Sequence, residues 1–391
     1  MAEVFVVDAV RTPLGRLGGG LAKVRPDDLL AAVFRSLAER HPRVGERLDE
    51  VYAGNANGAG EDNRNVARMA VLLSGLPVSV PAATVNRLCG SGMEAVISAY
   101  RAIALGEADV CIAGGVESMT RAPFVIPAPE DAYPRELPTF STRLGWRMTN
   151  PAMPSEWTVA LGEGAEILAD KYSIARAAQD EFAVESHRRA HAAWESGRYD
   201  AEVIRGSWEL VRDECIRADT SFEKLAKLRP VFRTSKGTVT AGNASPMNDG
   251  AAALLLTSAR AARELDLTPL ARIRSVAVSA IEPHLFGLGP VEASQRALKR
   301  GDLAVSDLDV VELNEAFAAQ VLACFAAWPE LDRSKVNPNG GAIALGHPLG
   351  CSGARLVGTL AHELRLRGKK HGLATACIGV GQGIAVTLSN G

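Results

Sequence analysis

The amino-acid sequence predicts an α/β protein built from two related half-folds, with a third lobe inserted into the first. Three observations carry that prediction. Leu48-Asp-Glu-Val-Tyr-Ala-Gly-Asn55 resembles Leu308-Asp-Val-Val-Glu-Leu-Asn-Glu315, each an apolar strand running into polar residues, at an offset of about 260 residues. At nearly the same offset Cys89-Gly-Ser-Gly92 answers Gly350-Cys-Ser-Gly353, and both open segments of helical spacing, the second with Ala354, Val357, Ala361 and Leu364 on one face. Each of these helices leads to an apolar strand ending in glycines, Ala108–Gly115 in the first half and Gly372–Gly379 in the second.

Beyond that strand the halves differ. In the second, the next strand, Gly383–Leu388, comes almost at once; in the first, its counterpart Gly250–Thr257 arrives only after roughly 120 residues, which marks an insertion at a loop. The expected division is therefore residues 1–118 with 247–268 for the first half, 119–246 for the inserted lobe and 269–391 for the second half. The N-terminal MAEVFVVDAVRTP reads as a strand. The insertion opens on a proline-rich stretch, Arg121–Pro129, and continues into a polar helix from Ala177 to Trp194 that carries Phe182 and Val184 among many charges. Insertions of this length cap a site or mediate association.

Composition narrows the function. A chain of 391 residues with 47% hydrophobic residues, 23% charged residues and 37 scattered glycines is a folded, multi-lobed protein. A net charge of -2 provides no broad positive field for nucleic acid or an anionic membrane. Acidic Glu3 and Asp8 interrupt the N-terminal apolar run, so it is not read as a signal peptide, and no stretch has the length of a membrane span. Six cysteines without CxxC pairs disfavour a disulfide scaffold or a zinc site, so no metal is expected and a reducing cytoplasm is. Neither GxxxxGK[ST] nor a dinucleotide-type GxGxxG is present.

The chemistry concentrates at three places. Cys89 stands in Val85-Asn-Arg-Leu-Cys-Gly-Ser-Gly-Met93 just before a helix, where free N–H groups and the helix dipole are expected to lower a thiol's pKa. A buried structural cysteine is the bland alternative, and context decides between them. His347 lies in the glycine-dense turn ahead of the duplicated helix, so a pseudo-twofold arrangement of the halves would aim both helix starts into one pocket, giving a thiol and its base. Cys377 ends a strand and enters Ile378-Gly-Val-Gly-Gln-Gly383, whose N–H groups, Gly379 among them, could hold an oxyanion. Asn314 at a strand end could position a water or carbonyl oxygen, or cap a helix; Glu312 and Glu315 are capping or structural candidates. Cys111, Cys215, Cys324 and Cys351 read as structural.

With these residues in view, the chain resembles the thiolase family nearly end to end. The resemblance rests on Asn86–Gly92 (NRLCGSG), Ala113–Met119 (AGGVESM), Thr238–Ser245 (TVTAGNAS), Asn314–Phe317 (NEAF), Gly340–Pro348 (GGAIALGHP) and Cys377–Gly383 (CIGVGQG), in this order. It implies a duplicated thiolase fold with a five-layered α/β/α/β/α core and a loop domain over a coenzyme A site. It implies an acyltransferase that cleaves or forms 3-ketoacyl-CoA by a ping-pong acyl-enzyme mechanism, using coenzyme A and acyl-CoA as substrates and no tightly bound cofactor. Cys89 would be the nucleophile, His347 its base and Cys377 the acid/base at the second substrate's α-carbon. Asn314, through a water, and His347 would line one oxyanion hole, and the N–H groups of Cys89 and Gly379 the other. Arg217, Phe232, Ser245, Phe317 and Leu161 would lie along the coenzyme A channel.

The sequence departs from the usual family pattern at Ala160–Glu166, at Pro246-Met247 and at Val380, where many members have glycine. Gly60–Ala70 and Val380 lean toward the 3-oxoadipyl-CoA branch of aromatic catabolism, with acetoacetyl-CoA and longer-chain 3-ketoacyl-CoA as alternative substrates. A decarboxylating ketoacyl synthase would pair its cysteine with two histidines, whereas here the second half supplies His347 and Cys377. An inactive thiolase-like binding protein need not keep Cys89, His347, Asn314 and Cys377 together. The resemblance further implies a homodimer or homotetramer.

Overall fold

A computed structural model of the chain describes residues 2–390. Among the described residues ten strands form the large sheet, nine of them in one continuous path: β1 (Val4–Arg11), β2 (Glu50–Gly54), β3 (Ala82–Val85), β4 (Val110–Ser118), β5 (Asn248–Ser258), β6 (Ala271–Ala280), β7 (Val310–Leu313), β8 (His371–Ile378) and β9 (Gln382–Ser389). Their order is β7-β8-β9-β6-β1-β5-β4-β2-β3, with the short Gly15–Arg16 strand beside β5. The two halves repeat one pattern. β2 and β4 are parallel, as are β7 and β8, whereas β4/β5 and β5/β1 are antiparallel like β8/β9 and β9/β6. The halves meet where Val4, Phe5 and Val6 of β1 pair with Ile273, Arg272 and Ala271 of β6.

Seven helices matter for the site: α1 (Pro26–Arg40), α2 (Ser91–Leu105), α3 (Leu161–Lys171), α4 (Arg176–Glu195), α5 (Gly289–Arg300), α6 (Ala318–Ala327) and α7 (Leu349–Arg367). Strand alternation shows how they stack. Along β5, Leu254 and Leu256 join a core containing Met93, Val96 and Ile97 of α2, Leu356, Val357 and Leu360 of α7, and Ala374 and Val386 of the second half. Ala253 and Leu255, on the opposite face of the same strand, pack with Leu29, Leu30, Val33 and Phe34 of α1. In the second half Val311, Leu373 and Ala385 turn outward onto Ala293 and Ala297 of α5 and Val321 and Phe325 of α6. The result is five layers, helix, sheet, central helices, sheet, helix, with strands buried on both faces as their continuous apolar runs require.

The two central helices touch because glycines face each other. A Cβ on Gly92 would stand 2.6 Å from Gly350 O and 2.7 Å from Ala354 N, and one on Gly353 would collide with the Met93 backbone. Between β4 and β5 the chain leaves the sheet to form α3, α4 and a two-strand ribbon, Phe124–Val125 with Phe140–Ser141. Buried charges dock this excursion. Arg11 Nε lies 2.7 Å from Glu202, Arg11 Nη1 lies 2.7 Å from Asp213, and Arg198 Nε lies 2.6 Å from Glu363 of α7. Glu315 accepts hydrogen bonds from Ser186 of α4 (2.7 Å), Asn337 (2.8 Å) and the Ile343 N–H (3.1 Å), so it is a structural clamp that also satisfies a first-turn N–H of the short helix Ala342–Leu345.

Replacing Gly353 by Ala is expected to force the central helices apart and lower stability by about 1–3 kcal/mol. Urea unfolding followed by tryptophan fluorescence would measure it, and an unchanged midpoint would contradict the close crossing.

Candidate active site

Cys89 is presented by a tight turn between β3 and α2. Asn86 Oδ1 accepts from the Leu88 N–H at 2.8 Å, while the Ser91 hydroxyl accepts from the Arg87 N–H (2.8 Å) and donates to Leu88 O (2.7 Å). These bonds hold Leu88 at φ +48°, a left-handed conformation that a branched side chain adopts only when its surroundings enforce it. Cys89 lies in a single 3-10 turn that runs directly into α2.

His347 sits in the corresponding turn ahead of α7. Its N–H donates to Asn248 Oδ1 at 3.0 Å, and Gly346, at φ +120°, lies so close to the Asn248 side chain that any Cβ would strike it. With the Ser352 hydroxyl donating to Pro348 O (2.9 Å), its lone pairs face His347 Nδ1 at 2.7 Å, an arrangement that the Nδ1–H tautomer completes by donating to Ser352. Nε2 is then the unprotonated nitrogen, and it faces Asn314 Nδ2 at 3.4 Å. Asn314 Oδ1 is buried without a partner among the described residues. Phe317, not Asn314, holds the N-cap position of α6, so the capping reading of Asn314 is set aside.

Cys377 lies at the penultimate position of β8, and Gly379, Val380 and Gly381 form the three-residue turn into β9. The Gly379 N–H and the N–H of Cys89 itself act on the Cys89 sulfur in the direction that favours its thiolate. Gln382, just after the turn, accepts from Arg87 Nη1 at 2.9 Å and so ties this turn to the one that holds Cys89. Val380 has φ +56°, a conformation that glycine would occupy without strain.

Cys89, His347 and Cys377 line one cavity of about 200 Å³ together with Leu161, Phe232, Ser245 and Phe317. Two thiols and an imidazole from opposite ends of the chain thus share a pocket. Arg217 does not reach it. It lines a neighbouring cavity with His187 and Cys215, and the two cavities meet at Pro246. Met119, Leu144, Gly145, Phe286 and Met247 also line the pocket, and Asn248 and Ser352 fix His347 from behind. None of these is singled out as a site residue by the sequence: Met119 and Ser352 lie inside quoted motifs, but nothing local shows that their side chains face the pocket or His347.

Burial governs the ionisation of the site. It pushes the Cys89 thiol up to about 11, against the pull of the Gly379 N–H and its own and with a further push from Glu117. The sequence-based expectation of a helix-lowered pKa is therefore corrected, because desolvation in an apolar pocket outweighs the helix start. Burial likewise raises Cys377 well above the ordinary thiol value. Burial, aided by the Arg355 charge, lowers His347 to about 3, leaving the imidazole neutral at physiological pH. The resting site is thus an uncharged thiol, an uncharged thiol and a free imidazole lone pair, a set that needs a base to act. Among the described residues no group of three His, Cys, Asp or Glu side chains is arranged to hold a metal ion.

Residues 4–260 match the thiolase N-terminal domain and residues 267–390 the thiolase C-terminal domain. The chain belongs to the thiolase family. It is 52% identical to a beta-ketoadipyl-CoA thiolase of Pseudomonas aeruginosa, covering 99% of this chain and 98% of that protein. It is 50% identical to a 3-oxoadipyl-CoA/3-oxo-5,6-dehydrosuberyl-CoA thiolase of Escherichia coli, covering 99% of both. Human mitochondrial 3-ketoacyl-CoA thiolase in complex with CoA superimposes with a TM-score of 0.94 at 39% identity, covering 100% of this chain and 98% of that one. This thiolase is accordingly an acyltransferase that works on coenzyme A thioesters. No helix among the described residues is long and apolar enough to cross a membrane.

The depressed His347 value has a stability consequence in this thiolase. Between pH 6.5, its ordinary value, and about 3, the unfolded chain binds a proton at His347 that the folded chain refuses. Its contribution to stability is therefore full above pH 6.5 and is lost as the pH falls toward 3. The stability difference between His347→Asn and the wild type is expected to shift in favour of the variant from pH 7 to pH 4.5, read by urea unfolding at each pH. A constant difference would mean that His347 titrates alike in both states.

Proposed function

We propose that the protein is a 3-oxoadipyl-CoA thiolase that works through a covalent thioester on Cys89. The single observation that carries the mechanism is the meeting of Cys89, His347 and Cys377 in one pocket. The substrate rests on the names of relatives about 50% identical over the full chain.

In thiolysis, the Cys89 proton passes to His347 Nε2 as the sulfur attacks the 3-keto carbon. The former lone-pair nitrogen becomes a donor at the moment negative charge develops, which is when a donor is useful. The N–H groups of Cys89 and Gly379 stabilise the tetrahedral oxyanion. The C2–C3 bond then breaks, its electron pair passes to C2, and the resulting enolate oxygen is held by protonated His347 and by a water fixed on Asn314. Cys377 delivers its proton to C2, releasing acetyl-CoA. Free coenzyme A gives its thiol proton to the Cys377 thiolate and attacks the acyl-Cys89 thioester; Cys89 leaves and recovers the proton from His347. Every proton taken is returned, so the cycle needs no oxidant or reductant.

Phe232, Phe317, Ser245 and Leu161 would flank the pantetheine arm on the pocket wall, and Arg217, one cavity further out, would meet the phosphate-bearing end of coenzyme A. Residues 119–246 would serve as the cover over that channel, between half-folds of residues 1–118 with 247–268 and 269–391. The reading extends to a cytoplasmic homodimer or homotetramer with no tightly bound cofactor.

Two measurements test it. Incubation with acetyl-CoA followed by intact-mass analysis should show one acetyl adduct on the wild type and on Cys377→Ala but none on Cys89→Ala; an adduct persisting on Cys89→Ala would refute the nucleophile. Across acetoacetyl-CoA, 3-oxoadipyl-CoA and a medium-chain 3-ketoacyl-CoA, kcat/KM for thiolysis should be highest for 3-oxoadipyl-CoA, and a medium-chain preference would overturn the substrate.

A further inference from the structure

A 3-oxo dicarboxylyl chain brings a second negative charge into a pocket whose wall offers nothing to neutralise it. Apart from His347, which is neutral, the residues lining the cavity are uncharged. Once the 3-keto carbon is bonded to Cys89, the terminal carboxyl carbon of a six-carbon diacid lies only about 4 Å further along an extended chain. An unpaired carboxylate at that depth is costly, so its counter-charge must come from immediately behind the wall.

The segment that supplies Leu144 and Gly145 to the wall is flanked by two half-buried arginines, Arg143 and Arg147. Arg143 Nε donates to the main-chain oxygen of Met119, itself a wall residue, at 3.0 Å. Arg147 Nη2 lies 3.2 Å from Asn57 Oδ1, and Asn57 Nδ2 in turn donates to Thr142 Oγ1 at 3.1 Å. The neighbouring Ala56 O accepts from Asn86 at 2.9 Å, within the turn that presents Cys89. Both guanidiniums are therefore anchored by one edge to neutral oxygens around the catalytic turn. Neither is ion-paired to a carboxylate of the described residues, in contrast to nearby Arg121, which is paired with Glu61. Glu117, the carboxylate of this neighbourhood, is instead occupied by the N–H groups of Ala56, Asn57 and Gly350. Half-buried guanidiniums with unused N–H donors are suited to a planar carboxylate.

We propose that Arg143 and Arg147 form the subsite that receives the terminal carboxylate of a 3-oxo dicarboxylyl-CoA and so set the acyl specificity of this thiolase. The proposal rests on the 3-oxoadipyl-CoA reading above and names the residues that would enforce it. Arg147, which is held to the loop beside the Cys89 turn, is the principal contact, and Arg143 closes the subsite from the Met119 side.

The test compares thiolysis of 3-oxoadipyl-CoA with that of 3-oxohexanoyl-CoA, which has the same chain length but no terminal charge. Arg147→Met and Arg143→Met should each lower kcat/KM for 3-oxoadipyl-CoA by about 10- to 100-fold, mainly through KM, and leave 3-oxohexanoyl-CoA within about threefold. Arg147→Lys should recover part of the loss. Equal losses on both substrates would mark a purely structural role and overturn the proposal. A wild type that prefers 3-oxoadipyl-CoA and keeps that preference in the double methionine variant would sink the arginine subsite alone. A wild type with no preference between the two substrates would sink the substrate reading and this subsite together.

Discussion

The close crossing of α2 and α7 is the constraint on which the site depends. Each helix starts just after a turn that carries a reactive side chain, Cys89 on one and His347 on the other, and each has a glycine where it meets its partner, Gly92 and Gly353. The same crossing admits Gly54 and Gly115 of the first-half strands against the two helix starts. With no side chain at these contact points, backbones approach within van der Waals contact and two turns some 260 residues apart in sequence open into one pocket. The site is therefore a product of packing in the middle of the molecule, with Leu144, Gly145, Leu161 and Phe232 of the insertion completing its wall.

That location dictates how the chemistry is controlled. In the apolar centre, desolvation is the largest influence on Cys89, Cys377 and His347, and it holds all three uncharged. A resting thiolate would be a strong but indiscriminate nucleophile; a neutral thiol beside a neutral imidazole generates charge only when a substrate is there to receive it. Ser352 and Asn248 complete this arrangement by holding the ring and main chain of His347 in place, so that Nε2 faces Asn314 and not the helix.

Charge is placed at the margins of the pocket. The docking of the insertion relies on buried ion pairs, Arg11 with Glu202 and Asp213 and Arg198 with Glu363, whose value lies in fixing one orientation of the excursion, since desolvation offsets much of their attraction. The same excursion returns Leu161 and Phe232 to the wall and brings Arg143 and Arg147 behind it. The proposed division of labour puts the chemistry on the duplicated halves and the acyl selectivity on the inserted segment, where one of the departures from the family pattern, Ala160–Glu166, also lies.

The sequence by itself determined the duplication, the insertion and the identities of Cys89, His347, Asn314 and Cys377, because each is written in local pattern: repeated motifs at one offset, glycine-flanked turns, and strands that end in polar residues. The family resemblance, and no local pattern, pointed to Phe232, Ser245, Phe317 and Leu161, which line the pocket. Only the tertiary structure decided the rest. The thiol pKa rises where a helix start suggested it would fall, since burial depends on every layer at once and no local pattern encodes it. Arg217 falls in an adjoining cavity, Glu315 becomes a clamp for α4, and Asn248, Ser352, Arg143 and Arg147 gain their places only through partners distant in sequence.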